Sequence, residues 1–186
     1  MQRFARAFAA VAAVALAGLA GQAAAQAPSL VFIVRHAEKA AAPANDPVLS
    51  PAGEARVHAL VDLLANSGIG AVISTPFART VGTAKPVADK FGVRVDSVAV
   101  GADVPAHAQA VAAQVRRYPG KAVLVVGHSN TVTAIAAALG APAMPDLCDG
   151  DYDQIFILEL QVSGPPRVVR ARFGAPAADE KCGKMD

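Results

Sequence analysis

Two histidines, each placed directly after an apolar run, are the residues of this sequence best suited to chemistry. The run Leu30–Val34 leads into Arg35 and His36, and the run Ala122–Gly127 leads into His128. An imidazole is largely neutral at pH 7 and can act as a nucleophile, and a guanidinium beside it matches the geometry of a phosphate. The pattern favours a site that handles phosphoryl groups.

A second arginine, Arg79, comes shortly after another apolar run at residues 71–74. If the three runs are neighbouring parallel strands, their carboxyl ends lie on one edge of the sheet, where open α/β sheets bind ligands. Two guanidiniums and two imidazoles would match a phosphate dianion in charge and in hydrogen-bond donors. The sequence therefore predicts one anion site formed by Arg35, His36, Arg79 and His128.

These residues must be positioned by strands and helices that alternate along the chain. We predict strands at residues 30–34, 71–74, 93–100, 122–126, 154–160 and 168–173, with a helix after each of the first four. The last two strands have only the turn-like stretch 163–166 between them, which predicts a hairpin at one sheet edge. The predicted fold class is α/β, a three-layer α/β/α sandwich with a mostly parallel sheet.

Residues 1–25 have the pattern of a secretory signal peptide. A basic start with Arg3 and Arg6 precedes the apolar run 7–20, and three alanines at 23–25 form a small-residue cleavage signal. A transmembrane anchor is the alternative, but the run is shorter than the roughly 20 residues that a span needs. We predict cleavage after Ala25, a periplasmic or secreted protein, and no stable membrane anchor.

The charge of the mature chain argues against nucleic acid as a partner. The chain has 17 Lys and Arg against 15 Asp and Glu. Arg3 and Arg6 would leave with the signal peptide and no acidic residue would, so 15 of each sign remain. Without net charge there is no long-range field to attract nucleic acid or an anionic membrane. Residues 26–186 are predicted to form one domain.

Cys148 and Cys182 are the only cysteines. In an exported protein, two cysteines without others are typical of a disulfide, and we predict a disulfide between them here. In the chain-entropy description, closing that loop stabilises a fold by roughly 3–4 kcal/mol. Two free thiols are the alternative, and neither cysteine has the sequence context of a catalytic nucleophile.

At four places the sequence resembles the histidine phosphatase superfamily, which includes phosphoglycerate mutases, acid phosphatases and phosphohistidine phosphatases. The superfamily's Arg-His-Gly motif appears as Arg35-His36-Ala37, with alanine in place of glycine. Its other three motifs appear as Leu49-Ser50-Pro51-Ala52-Gly53, as Ser74 or Thr75 through Arg79 to Thr83-Ala84, and as Gly127-His128. The motifs follow in order over nearly the whole mature chain, and the resemblance implies a phosphoglycerate mutase-like fold.

The resemblance also implies a mechanism. His36 attacks the phosphorus and forms a phosphohistidine, and water then releases inorganic phosphate. Arg35, Arg79 and His128 hold the phosphoryl oxygens while the bond to the leaving group breaks. Such catalysis consists mainly of positioning and electrostatic preorganisation.

The acid that protonates the leaving group is the open part of this prediction. The acid-phosphatase branch places an Asp directly after the second histidine, where this chain has Ser129 and Asn130, which we predict to bind substrate instead. The mutase branch uses a Glu between the second arginine and the second histidine, and the first acid in the matching region here is Asp103. Glu38, beside the nucleophile, is the alternative. A substrate with a good leaving group would need neither.

No metal and no other cofactor is predicted. His58 and His107 lie inside predicted helices without a histidine partner at helical spacing, so they are interpreted as surface or packing residues. Four aspartates between 146 and 153 lack the spacing of an EF-hand loop and are interpreted as a solvated acidic loop. Tyr152, within that loop, is predicted to line the pocket rim.

The predicted function is an exported, metal-independent phosphomonoesterase that acts on a small phosphorylated substrate. An envelope glycan phosphate is the proposed substrate class, because exported superfamily members of similar size act on such esters. Two alternatives remain open. One is a phosphomutase, which would need a bisphosphate primer that an exported protein rarely meets. The other is a non-catalytic binder of phosphorylated envelope components, favoured only by the missing obvious acid.

Overall fold

The computed structural model describes residues 30–101 and 103–176. The predicted signal peptide at residues 1–25 and Cys182 lie outside the described residues, so export, the domain start at residue 26 and the disulfide stay predictions. None of the helices in the described ranges is long and apolar enough to cross a membrane.

Six strands form one sheet, and four helices pack against it. The strands are β1 (Leu30–Arg35), β2 (Ile69–Ser74), β3 (Val95–Ser97), β4 (Ala122–Gly127), β5 (Gln154–Glu159) and β6 (Arg167–Arg172). The helices are α1 (Pro51–Leu64), α2 (Ala78–Phe91), α3 (Val104–Val115) and α4 (Val132–Ala138). The strand order is β3-β2-β4-β1-β5-β6. The first four strands in this order pair in parallel, β5 pairs antiparallel with β1, and β6 pairs antiparallel with β5. This confirms the mostly parallel sheet with a hairpin at one edge.

The central strands are apolar throughout because helices cover both faces of the sheet. In β1, Val31 and Ile33 face one core together with residues of α3 and α4. Phe32 and Val34 face the other core together with residues of α1 and α2. The predicted three-layer α/β/α sandwich is therefore confirmed.

The segment after β2 and α2 differs from the prediction. The strand predicted at residues 93–100 is only three residues long, because the chain leaves the sheet after Ser97 and forms a loop. The imidazole of His107 on α3 is buried under this loop, with its Nδ1 3.1 Å from the carbonyl oxygen of Ala99. The packing role interpreted for His107 is thus the one seen, and the loop lies over the carboxyl edge of the sheet.

Helix α1 packs closely on the loop that follows β1. The side chain of Ser50 caps α1 by accepting a hydrogen bond from the Gly53 amide, and the Ser50 amide donates to the carbonyl of Glu38 at 2.9 Å. A Cβ at Gly53 would lie 2.2 Å from that same carbonyl oxygen, so only glycine allows this approach. The Leu-Ser-x-x-Gly segment thereby holds the loop that begins with His36.

Candidate active site

The two strand-end histidines meet because β1 and β4 are adjacent and parallel. Arg35 pairs in register with Gly127, and the His36 amide donates a hydrogen bond to the Gly127 carbonyl at 2.9 Å. The rings of His36 and His128 lie edge to face, with their centroids 5.4 Å apart. Gly127 also lets α4 come close, since a Cβ there would lie 2.9 Å from the hydroxyl of Thr131.

The imidazole of His36 is buried and held in one orientation. Its Nδ1 lies 2.8 Å from the carbonyl oxygen of Ala37, an acceptor, so Nδ1 carries the proton of the neutral ring. The lone pair is then on Nε2, which has no hydrogen-bond partner among the described residues. The Ala37 amide donates to the hydroxyl of Thr83, which fixes the loop beyond the ring. Ala37 itself is buried and does not line the cavity.

Arg35 is held by the loop between α4 and β5. Its Nη1 donates to the carbonyls of Cys148 and Asp149 at 2.9 and 2.7 Å, and its Nη2 donates to the hydroxyl of Tyr152 at 3.3 Å. The guanidinium carbon also lies 4.0 Å from the centre of the Tyr152 ring. The buried Nε of Arg35 has no partner within the described part of the chain. A buried donor without a protein partner is a candidate to bind an oxygen of a ligand.

Arg79 stands at the first turn of α2, on the opposite side of the cavity. Its guanidinium carbon lies 4.6 Å from the centre of the Phe77 ring, and its Nη1 lies 3.7 Å from a carboxylate oxygen of Asp46. Asp46 also accepts a hydrogen bond from the Ala78 amide at 2.9 Å, so one carboxylate orients both the helix start and the arginine. Phe77 packs against the ring of His128 as well.

Burial and nearby positive charge keep both histidines neutral. Burial is the larger cause that lowers the pKa of His36 from 6.5 to about 3, and Arg35, His128 and Arg79 act in the same direction. Burial also lowers the pKa of His128 to about 4, helped by Arg79, His107 and Arg35. A neutral ring at position 36 keeps its Nε2 lone pair available at every pH above about 5.

The lowered pKa of His36 predicts a pH-dependent stability. The unfolded chain, with an ordinary histidine pKa of about 6.5, takes up a proton before the folded chain does as the pH falls. Stability is therefore full above pH 6.5 and is lost as the pH falls towards 3. Between pH 7 and 4.5 we expect His36 to cost about 2–3 kcal/mol of unfolding free energy.

Denaturant titrations at pH 7 and 4.5 measure this effect. The variant His36→Gln should lose about 2–3 kcal/mol less than the wild type over that interval. His58→Gln, whose side chain is exposed on α1, should follow the wild type. Equal losses in the wild type and in His36→Gln would show that His36 does not resist protonation.

The four predicted residues line one cavity of about 450 Å³. Asp103, predicted as a possible acid, and Ser129 and Asn130, predicted to bind substrate, line it too, and these roles stay predictions. The carboxylate of Asp103 caps α3 by accepting a hydrogen bond from the Ala106 amide at 2.7 Å. Lys39, Val100 and Asp149 complete parts of the rim.

Glu38 does not line this cavity, and its carboxylate is engaged elsewhere. Both of its oxygens accept hydrogen bonds from the buried Arg56, at 2.7 to 3.0 Å. Arg56 also donates to the carbonyls of Phe173 and Ala175, so the pair joins the loop after His36 to the end of β6. This geometry argues against Glu38 as the acid.

The acidic loop contributes to the site through its backbone more than through its carboxylates. Asp146 accepts from the hydroxyl of Thr133, Asp151 accepts from the Cys148 amide, and the buried Asp153 pairs with Arg172. In the described ranges, no group of three or more His, Cys, Asp and Glu side chains could hold a metal ion.

Three further side chains orient the site, and no role was assigned to any of them from the sequence. Thr75 lies 3.1 Å from Nε2 of His128, Thr83 binds the Ala37 amide, and Asp46 contacts Arg79. The two threonines flank Arg79 in the sequence at a strand end and on the first turns of a helix, which was the available signal. Asp46 lies in a loop rich in alanine and proline, where nothing in the sequence marks it.

Comparison with known proteins supports the same grouping. A family model described as the histidine phosphatase superfamily, branch 1, matches residues 31–99. That stretch contains Arg35, His36 and Arg79, and the pairing of β1 with β4 adds His128 from beyond it. No curated protein matches the chain by sequence.

Solved structures share the fold over most of the chain. The protein histidine phosphatase SixA, solved with tungstate, is 23% identical with a TM-score of 0.59, over 77% of this chain and 96% of that one. The putative phosphohistidine phosphatase SixA from Agrobacterium tumefaciens is 20% identical with a TM-score of 0.56, over 80% and 99%. The native mycobacterial glucosyl-3-phosphoglycerate phosphatase is 15% identical with a TM-score of 0.56, over 80% and 99%. The chain is therefore similar to the histidine phosphatase superfamily over residues 31–99, and it shares the fold of the solved phosphatases over most of its described length.

Proposed function

We propose that the protein is an exported phosphomonoesterase that works through a phosphohistidine on His36. The observation that carries the proposal is the free Nε2 of a buried, neutral His36 inside a cavity that also presents Arg35, Arg79 and His128. A nucleophile without a competing partner, surrounded by cationic and neutral donors, suits a doubly charged phosphoryl group.

The first step transfers the phosphoryl group to the enzyme. The lone pair of His36 Nε2 forms the N–P bond while the P–O bond to the leaving oxygen breaks. That oxygen takes the bonding electrons and a proton from the acid, for which Asp103 is the candidate, or from water. In the second step water attacks the phosphorus, the N–P bond breaks, and its electrons return to Nε2. Inorganic phosphate leaves, and the water's proton goes to solvent or to the carboxylate left by the acid in the first step.

The cavity walls bind the phosphoryl oxygens throughout both steps. Arg35 is fixed by two carbonyls and a stacked tyrosine, so its free Nε–H keeps one direction. Arg79, held by Asp46, contributes a second guanidinium from the α2 side. Donors that are already oriented cost no reorganisation when charge moves in the transition state.

Asp103 is the best-placed candidate for the acid. It is the only one of the two predicted acids that lines the cavity, since Glu38 is paired with Arg56. Its other role, capping α3, is one that asparagine performs equally well. The substitution Asp103→Asn therefore removes the acid while keeping the cap.

Leaving-group dependence tests the role of Asp103. We expect Asp103→Asn to lower kcat for an alkyl phosphate by about 100-fold, because general-acid help matters most for a poor leaving group. For a nitrophenyl phosphate, which needs little protonation, the loss should stay within about threefold. Equal losses on both substrates would show that Asp103 does not protonate the leaving group.

The substrate and the compartment belong to the same proposal. The SixA from Agrobacterium tumefaciens and the mycobacterial phosphatase are named for phosphohistidine and for glucosyl-3-phosphoglycerate, two substrates with different leaving groups. We propose a small phosphorylated substrate of the envelope, such as a glycan phosphate, reached after cleavage of residues 1–25. N-terminal sequencing of the protein from the periplasmic fraction tests export, and an intact N-terminus in the cytoplasm would refute it.

Turnover without metal is the direct functional test. The protein should hydrolyse an aryl phosphate in the presence of excess EDTA, with tungstate and vanadate as competitive inhibitors. A panel of sugar, lipid-headgroup and aryl phosphates then ranks substrates by kcat/KM. No hydrolysis of any member, together with tight tungstate binding, would favour the non-catalytic binder instead.

A further inference from the structure

Two buried hydroxyls below the cavity have no role in the steps described above. Thr75 and Thr80 are 2% and 0% exposed. The Oγ1 of Thr75 lies 3.1 Å from Nε2 of His128 and 2.7 Å from the Oγ1 of Thr80. A line of three polar groups therefore runs from the core into the second histidine of the site.

The direction of these hydrogen bonds follows from counting protons. Each hydroxyl can donate only once. The Thr80 hydroxyl has three acceptors in reach: the Oγ1 of Thr75 at 2.7 Å, the Phe77 carbonyl at 2.8 Å and the Thr75 carbonyl at 3.0 Å. The Phe77 carbonyl already accepts from the amides of Thr80 and Val81, and the Thr75 carbonyl accepts from the hydroxyl of Ser74. The Thr75 carbonyl keeps one free lone pair, but at 3.0 Å it lies farther away than the Oγ1 of Thr75 at 2.7 Å, so we assign the proton of Thr80 to that nearer oxygen.

Thr75 then has its own proton to donate, and Nε2 of His128 is the acceptor within reach. A neutral imidazole that accepts at Nε2 carries its proton at Nδ1. Within the described ranges, Nδ1 of His128 has no hydrogen-bond partner and is not among the buried unpartnered atoms, while the ring lines the cavity. If Nε2 of His128 carried the proton instead, Nδ1 would present its lone pair to an anionic ligand in the cavity.

We propose that Thr80 and Thr75 form a hydroxyl relay that fixes His128 as the Nδ1–H tautomer, so that the neutral ring donates a hydrogen bond to a phosphoryl oxygen. Both threonines are positioning residues, since they act through His128. The ligand named here rests on the proposed function, whereas the tautomer itself does not.

The surroundings of His128 make the tautomer matter. His36, Arg35, Arg79 and His107 all oppose a positive charge on the ring. The carboxylates of Asp103 and Asp149 line the same cavity, at its rim.

A ring that stays neutral donates to an anion only from the tautomer whose proton is on the nitrogen that faces the cavity. Without the relay the neutral ring would also populate the Nε2–H tautomer, in which Nδ1 presents a lone pair to the anion.

Two-bond proton–nitrogen correlation spectra of the full chain, labelled with ¹⁵N-histidine, test the tautomer directly. The chain has only four histidines, so single His→Gln variants assign each ring. We expect the Nδ1–H pattern for His128 at pH 7, free and with tungstate bound. An Nε2–H pattern would overturn the proposal. If His36→Ala were fully active, the proposed function would fail while this assignment stood.

Activity of matched variants tests the consequence. Thr75→Val keeps the side-chain shape and removes the hydroxyl, and we expect kcat/KM to fall by about 10- to 100-fold, because a desolvated acceptor is left unpaired and the tautomer is no longer fixed. The same spectra should show both tautomers of His128 in Thr75→Val, and Thr75→Ser should restore the wild-type pattern and rate. A Thr75→Val protein with the wild-type tautomer and the wild-type kcat/KM would refute the relay.

Discussion

The variant His36→Ala is expected to lower kcat for an aryl phosphate by on the order of 10⁴-fold or more. The substitution removes the Nε2 lone pair of His36, which has no hydrogen-bond partner in the described part of the chain, and it leaves the arginines in place. Steady-state rates in EDTA measure the loss. Tungstate affinity, measured by calorimetry, should change far less than the rate, because the oxygen-binding groups remain.

His58→Ala is the matched control for this variant. Its imidazole is exposed on α1 and does not line the cavity, so its rate should equal that of the wild type. Thermal unfolding of both variants separates lost chemistry from lost folding. A His36→Ala protein that is folded and retains a tenth or more of the wild-type rate would rule out covalent catalysis at this residue.

The variant Arg79→Ala is expected to lower kcat/KM by about 10²- to 10³-fold. In the proposed mechanism its guanidinium is the donor that α2 contributes to the phosphoryl oxygens, and no other cation of that helix lines the cavity. Arg79→Lys should recover only part of the rate, because a point charge does not replace a planar fork that binds two oxygens. Tungstate affinity, measured in parallel, should fall in the same order, from the wild type through Arg79→Lys to Arg79→Ala.

Lys85→Ala is the control on the same helix. Lys85 is 63% exposed and pairs with Asp89, away from the cavity. Its loss should leave kcat/KM within about twofold of the wild type, as surface ion pairs contribute little. If Arg79→Ala behaved like Lys85→Ala, the α2 side of the cavity would not bind the phosphoryl group.

The order of strands and helices was predictable because short stretches of sequence identify each of them. Continuous apolar runs such as Val31–Val34 identify strands buried on both faces, and the short turn before β6 identifies a hairpin. The short β3 was not predictable. Residues 98–101 are apolar enough for a strand, but the buried His107 binds Ala99 and holds them as a loop.

The site was predictable where it depends on strand ends and less so where it depends on contacts between distant loops. His36 and His128 follow their strands directly, so a parallel sheet brings them together. Glu38 looked equivalent to an active-site acid because it is two residues from His36. Its pairing with Arg56 depends on how α1 packs against the loop, which the sequence does not reveal.

Hydrogen-bond partners that lie far apart in the sequence were the hardest part of the site to predict. Arg35 donates hydrogen bonds to two backbone carbonyls more than 110 residues away. Every residue has a backbone carbonyl, so the sequence does not mark these two. The Tyr152 side chain that covers Arg35 was expected only at the rim. The hydroxyl of Thr75 touches His128 only because β2 and β4 are neighbours.

Trapping the phosphoryl-enzyme measures the central proposal most directly. The full chain is mixed rapidly with an aryl phosphate, quenched in alkaline denaturant, where a phosphohistidine survives, and digested for mass spectrometry. We expect one phosphoryl group on the peptide that contains His36, formed and lost at rates that match turnover, and none in His36→Ala. Efficient hydrolysis without any phosphorylated His36 peptide at the earliest times would contradict a covalent intermediate at this residue.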